Sequence, residues 1–183
     1  MTPSTPSKAP RSFLCLSLFA IAGCGGGGFA TDPGESVLIG NATAFAVVSS
    51  GGGFGPSVPV QGAPCAVGIW TYTVRIPTSE LAWDRCDVAG DAADPASYTH
   101  ATGSRVMSAT ELDTARSAAR QVHVSDRMTC GADKPTYTMS VTTAAGTKVY
   151  ADDFYSCQRT DQTYVKSEEL DSLSAQLQLL GQR

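Results

Sequence analysis

From Ala42 to Val48, and again at Trp70, Tyr72, Val74 and Ile76, apolar side chains alternate with small or polar ones. That two-residue period is the signature of a strand with one buried face. After Pro77-Thr78-Ser79 the chain returns through Leu81 and Trp83, which predicts a hairpin. Tyr137, Met139 and Val141 repeat the alternation, and beyond Ala144-Ala145-Gly146 a partner strand is expected from Thr147 to about Ala151. Elsewhere the period lengthens to that of a helix. Ser108-Ala109-Thr110-Glu111 is a capping box, in which serine and glutamate satisfy each other's exposed backbone donors. It predicts a helix from Ala109 to about Val122, with Leu112, Ala115, Ala119 and Val122 on its apolar side. Leu170, Leu173, Leu177 and Leu180 predict a final helix capped by Ser167. Both stripes read as core.

The two halves share a plan. Cys65 stands seven residues before Tyr72 within Thr71-Tyr72-Thr73, and Cys130 stands seven before Tyr137 within Thr136-Tyr137-Thr138. Each half places a further cysteine, Cys86 or Cys157, after its second strand and before its helix. Either duplication or chance recurrence of Thr-Tyr-Thr in strand-rich sequence accounts for this. In both cases the expected fold is α+β: an antiparallel sheet of two strand-strand-helix units, both helices on one face, with Ala42 to Val48 as an extra N-terminal strand.

Four body cysteines allow three disulfide pairings. The repeated plan favours Cys65 with Cys86 and Cys130 with Cys157. Zinc is the competing use of four cysteines, but there is no C-x-x-C pair. No metal site and no cofactor are expected.

The N-terminus gives the disulfides their setting. Lys8 and Arg11 precede an apolar run from Phe13 to Ala22 that ends at Ile21-Ala22-Gly23-Cys24. A charged start, a short apolar segment and small residues at a cleavage site make an export signal, and the run is shorter than the roughly 20 apolar residues of a transmembrane helix. Ile21-Ala22-Gly23-Cys24 resembles the lipobox of bacterial lipoproteins. The resemblance implies lipidation of Cys24, cleavage before it, and attachment of residues 24–183 to a membrane outside the cytoplasm. Gly25 supplies no aspartate retention signal, so a Gram-negative host would send the protein to its outer membrane. Cleavage at Ala20-Ile21-Ala22 by ordinary signal peptidase is the alternative and would yield a secreted protein. Cys15 lies within the signal and leaves with it.

Residues 1–23 therefore read as signal, 24–36 as a flexible glycine-rich tether and 37–183 as one disulfide-bonded domain. Loss of the signal removes Lys8 and Arg11 and no acid, leaving 11 basic residues against 17 acidic. An acidic body without basic runs offers no attraction to nucleic acid or to anionic headgroups; acyl chains would carry the anchoring. Gly25 to Gly28 is no phosphate loop, since no strand precedes it and no G-K-[ST] follows. The second glycine cluster, from Ser49 to Pro56, reads as a turn or bulge.

Catalytic signals are sparse. The two histidines are expected in a loop (His100) and at the end of the first helix (His123), and neither G-x-S-x-G nor H-E-x-x-H occurs. Asp84, Asp87, Asp91 and Asp94 read as a solvated acidic loop lacking the ligand spacing of a calcium loop. Asp152-Asp153 reads as a solvated strand end, its carboxylates on opposite faces.

Ser50-Gly51-Gly52-Gly53-Phe54-Gly55, followed by strands, a helix opening at Ser108-Ala109-Thr110-Glu111-Leu112, further strands and a last helix, resembles emfourin-type bacterial protease inhibitors. The chain departs from that layout in its lipobox, its four body cysteines and an insertion between Cys86 and Ser108, so no inhibitory residue is carried over. The expected function is a non-enzymatic module, anchored to a membrane through Cys24, that binds a protein partner. A protease inhibitor acting through residues 51–64 or 88–105, and a hydrolase with an unfamiliar site, are the alternatives.

Overall fold

A computed structural model describes residues 28–52, 60–131, 133–158 and 161–183. In chain order its elements are β1 (Ala44–Gly52), β2 (Ile69–Arg75), β3 (Glu80–Val88), β4 (Tyr98–Val106), α1 (Ala109–Arg120), β5 (Pro135–Thr143), β6 (Gly146–Asp152), β7 (Tyr164–Val165) and α2 (Ser167–Gly181). Short 3-10 turns occupy Pro95–Ser97 and Asp153–Gln158.

The strands form one sheet in the order β4-β3-β2-β1-β5-β6-β7. The extra N-terminal strand is thus central: β1 pairs with β2 on one side and β5 on the other, setting Phe45 against Val74 and Val141, and Val47 against Tyr72 and Met139. These side chains, with Leu81 and Tyr150, share one face and are fully or almost fully buried. Against them lie Leu170, Leu173, Leu177 and Leu180 of α2, all at most 1% exposed, each contributing about 1.5–3 kcal/mol by burial. Ala115 and Ala119 of α1 are completely buried in the same core; side chains this small allow the two helices to pack closely. The α+β class, the helices on a common face and both disulfides follow the expected plan. Cys65 is joined to Cys86 and Cys130 to Cys157, with Cα–Cα distances of 5.6 and 5.4 Å.

Two features of the sheet differ from expectation. It is mixed, because β7 returns beside β6 in the parallel direction after the Asp153–Gln158 turn. Each unit also holds a third strand before its helix. β4 occupies much of the segment read as an insertion, and its sequence Tyr-Thr-His-Ala-Thr-Gly-Ser-Arg-Val lacks apolar alternation because, at the sheet edge, neither face of it is deeply covered. Gly103 lies opposite Trp83 on β3, where a Cβ would come within 2.7 Å of the indole.

The helix ends show how the edge is tied to the core. The α1 capping box forms as read, Ser108 Oγ accepting from Glu111 N and the Glu111 carboxylate accepting from Ser108 N. Ser167 is instead the first residue of α2, and Lys166 holds the cap position without a side-chain bond. At the other end of α2, Arg105 donates to the Leu180 carbonyl at 2.9 Å and Arg85 to the Gly181 carbonyl at 3.3 Å, placing cations where the helix dipole is negative. Arg105 also holds the Glu111 carboxylate in a two-bond pair. Hydrogen bonding from Arg105, then from the Ser108 amide, lowers the Glu111 pKa to about 2. A carboxylate depressed in the folded state stabilises above its unfolded value of 4.5 and loses that contribution as pH falls toward 2. Thermal unfolding followed from pH 6 to pH 2 is therefore expected to show a flatter acid decline for Glu111→Gln than for the wild type. Parallel declines would show that the pair contributes nothing.

Candidate functional site

Cys24, on which the attachment reading depends, lies outside the described residues, as do residues 53–56 of the second glycine cluster. The tether expected over 24–36 is docked from Ala30 onward. Ala30 is buried, and its carbonyl accepts from Lys148 Nζ at 3.0 Å and Tyr150 Oη at 3.2 Å. Burial of that phenol pushes its pKa up to about 12. Gly34 N donates to the Val124 carbonyl, Ser36 bridges to His123, and Glu35 accepts from the amides of Thr31 and Asp32. Most of these partners are far away in sequence, so local composition carries no trace of the docking.

The histidines both meet carboxylates. His100 lies on β4, not in a loop, with Nε2 2.7 Å from Asp84 Oδ1, and both side chains are at least half exposed. His123 follows α1, with Nδ1 3.1 Å from Glu169 Oε2, which also accepts from His123 N. A general base needs an oriented imidazole beside a recess that holds substrate. The hollows lined by Gly28 to Ile39, by Ser125 to Met128 with Ser156, Gln162 and Tyr164, and by Thr71, Thr73 and Ala82 to Asp84 contain neither ring.

The acidic segment does not converge either. Asp84 faces His100 and Asp87 faces Arg85 at 3.0 Å, both from β3. Asp91 and Asp94 accept from the amides of Ala93 and Ala96, closing the turn into β4. Among the described residues no group of three histidines, cysteines or acids is placed to hold a metal ion.

Asp152 and Asp153 depart most from expectation, since both are buried, at 3% and 2% exposure. Asp153 accepts from Ser125 Oγ and from Ser167 N at the start of α2, and lies 3.3 Å from Arg127. Asp152 accepts from Phe154 N and pairs with Lys134 Nζ at 2.9 Å. Lys134 also meets Asp171 at 2.8 Å and Ser167 Oγ. A serine against a lysine is a nucleophile–base arrangement only if the amine is neutral. Burial lowers the Lys134 pKa, but the hydrogen bonds it donates to Asp171 and Asp152 outweigh it and the net shift is upward. The ammonium therefore keeps its proton and joins β5 to α2 as an ionic tie. Sequence spacing held no signal for this cluster, whose members come from four separated segments.

Opposite the helices, the middle of the sheet presents small and hydroxyl side chains, including Ala46, Thr73, Ala82, Thr138, Ser140 and Thr142, with Arg75, Glu80 and Asp84 on the same face. Both helices pack on the other face, and on this side the Cys65–Cys86 bridge fastens the preceding segment to the end of β3. No family model, curated protein or solved structure matches the chain. Two disulfides fit an oxidising, extracytoplasmic compartment, and among the described residues no helix is long and apolar enough to cross a membrane.

Proposed function

We propose that this protein is a cell-envelope lipoprotein, held to the membrane by acyl chains on Cys24, whose body is a non-enzymatic module that binds a protein partner. The observation that carries the reading is the lipobox Ile21-Ala22-Gly23-Cys24 behind a charged and apolar leader. The structure adds a limit on reach. The body takes hold of the chain at Ala30, so residues 24–30 span roughly 20 Å even when extended. The body then sits against the membrane surface, with the Ala30, Lys148 and Tyr150 corner nearest the bilayer. In a Gram-negative host the outer membrane is the expected site, Gly25 offering no retention signal. The open small-residue face of the sheet supports binding to a flat protein surface, since few long side chains there lose conformational freedom on contact.

Labelled palmitate supplied to the native host is expected to enter the wild-type protein and to be lost on Cys24→Ser. A wild-type protein that stays unlabelled would leave the secreted form. In the same membranes, a photo-crosslinker at Thr73 on the open face is expected to trap a discrete partner protein that a crosslinker at the exposed Ser172 does not. Equal trapping from both positions would remove the binding-face assignment.

A further inference from the structure

The two edges of the sheet are unlike. β7 closes one edge with two residues, whereas β4 offers nine at the other. Which peptide groups face outward follows from the hydrogen bonds that flank the β3–β4 ladder. Ala89 N donates to Ser97 O at 3.0 Å at one end, and Met107 N donates to Ser79 O at 2.7 Å at the other, both in the register that sets Cys86 against His100. Antiparallel ladders alternate between bonded and non-bonded pairs, so the odd-numbered residues of β4 bond to β3. His100, Thr102, Ser104 and Val106 turn their amides and carbonyls to the open side, whereas the amide of Tyr98 is donated to the Pro95 carbonyl. All but Tyr98 are exposed. Few of the devices that guard natural edges are present: β4 holds no lysine and no proline, its nine pairs with β3 run without a bulge, and its one arginine, Arg105, is engaged by Glu111 and the Leu180 carbonyl.

We propose that β4 pairs antiparallel with β4 of a second copy of this chain, about a two-fold axis through Thr102, joining two sheets into one. The strand is complementary to itself in that register. Thr102 faces Thr102 and His100 faces Ser104, so both bonds of these outward pairs can close; at the ends of the seam Tyr98 faces Val106, where the Tyr98 amide is already donated to the Pro95 carbonyl. Val106, 73% exposed in the single chain, falls opposite Tyr98 of the second copy, whose ring is buried with its hydroxyl donated to the Ala92 carbonyl. Arg105 falls opposite Thr99, β4 carries no carboxylate, and no like charges stand face to face. A partner's extended segment would find the same backbone, but only a second copy matches these side chains position by position. The seam alone covers less than the roughly 800 Å² per partner of a standard interface, so association is expected to be weak in dilute solution and favoured where copies are concentrated. The pairing stands apart from the membrane anchor and would hold without it.

In the full chain, Thr102→Cys is expected to give a disulfide-linked homodimer on mild oxidation, since bonded antiparallel pairs hold Cα atoms about 5.5 Å apart, within disulfide range. Ser104→Cys is not, because its two copies would stand four residues apart, roughly 13 Å. Thr102→Pro removes an outward amide and leaves the β3 ladder intact; in sedimentation equilibrium it is expected to weaken dimerisation about tenfold or more. A chain that stays monomeric at high concentration, equal crosslinking from both cysteines, linkage of Thr102→Cys to a different protein, or a dimer indifferent to Thr102→Pro would each overturn the proposal.

Discussion

Lys134→Met is expected to destabilise the domain by about 3–5 kcal/mol, the cost of leaving a buried charge without its partner. The Asp152 side chain is fully buried, and Lys134 Nζ stands 2.9 Å from it with only 17% of the lysine side chain exposed. Methionine fills a similar volume but leaves the carboxylate with the Phe154 amide as its described neighbour, so either the carboxylate takes up a proton or the loop opens to water. The second acid of the cluster behaves differently. Asp171 is 44% exposed, although its oxygen facing Lys134 is buried, and Asp171→Asn, which keeps the shape and a polar contact, is expected to cost less than Lys134→Met. Urea unfolding at pH 7 separates the two, with a lower midpoint and an unchanged slope for Lys134→Met. Replacing both partners, Lys134→Met with Asp152→Leu, is expected to recover much of the loss, because an uncharged pair needs no solvation. A Lys134→Met midpoint within about 1 kcal/mol of the wild type would mean that water already reaches Asp152. The raised pKa of Lys134 means that its stabilising charge is present below 10.5 and lost as pH rises through the higher folded value. Tests near neutrality therefore read the intact tie.

Removing either disulfide by paired Cys→Ala substitution is expected to cost roughly 3 kcal/mol on the chain-entropy model. The bridges close separations of 21 and 27 residues, and each fastens the segment before the first strand of a unit to the end of its second strand or the turn beyond. Their surroundings differ. Around Cys130–Cys157 the backbone is already tied, Cys157 N to Thr129 O, Gly131 N to Phe154 O, and Thr129 N to Ser156 Oγ. Loss of that bridge leaves the ends held in the native state, and the effect is carried by the unfolded chain. With both bridges absent the expected loss, about 6 kcal/mol if the two sites are independent, equals the whole stability of many domains. Chemical unfolding of the oxidised and fully reduced protein measures the sum. A reduced protein as stable as the oxidised one would show that the core alone suffices.

Much of the scaffold was legible because its signals are local. The alternation through Tyr72 and Val74, the capping box at Ser108 and Glu111, and the leucine stripe of α2 each identify an element from neighbouring residues, and the paired cysteine spacing indicated both bridges. β4 is not legible, because an edge strand has no buried face to impose a period, and the sequence around His100 therefore reads as a loop. Asp152 and Asp153 were read as solvated for a related reason. Adjacent carboxylates are ordinarily exposed unless partners arrive to hold them, and Lys134, Ser125 and Ser167 arrive only through the fold.

By itself the sequence determined which segments are strands and helices wherever one face must be dry, because burial writes a period into neighbouring residues. It also carried the cysteines that an oxidising compartment can pair. Only the tertiary structure decided that β1 lies at the centre of the sheet, that the chain is grasped from Ala30, that two adjacent aspartates are buried, and that β4 is left as an open edge. Each of these depends on contacts between residues far apart along the chain, and no local pattern records which distant partner will complete a hydrogen bond or cover a charge.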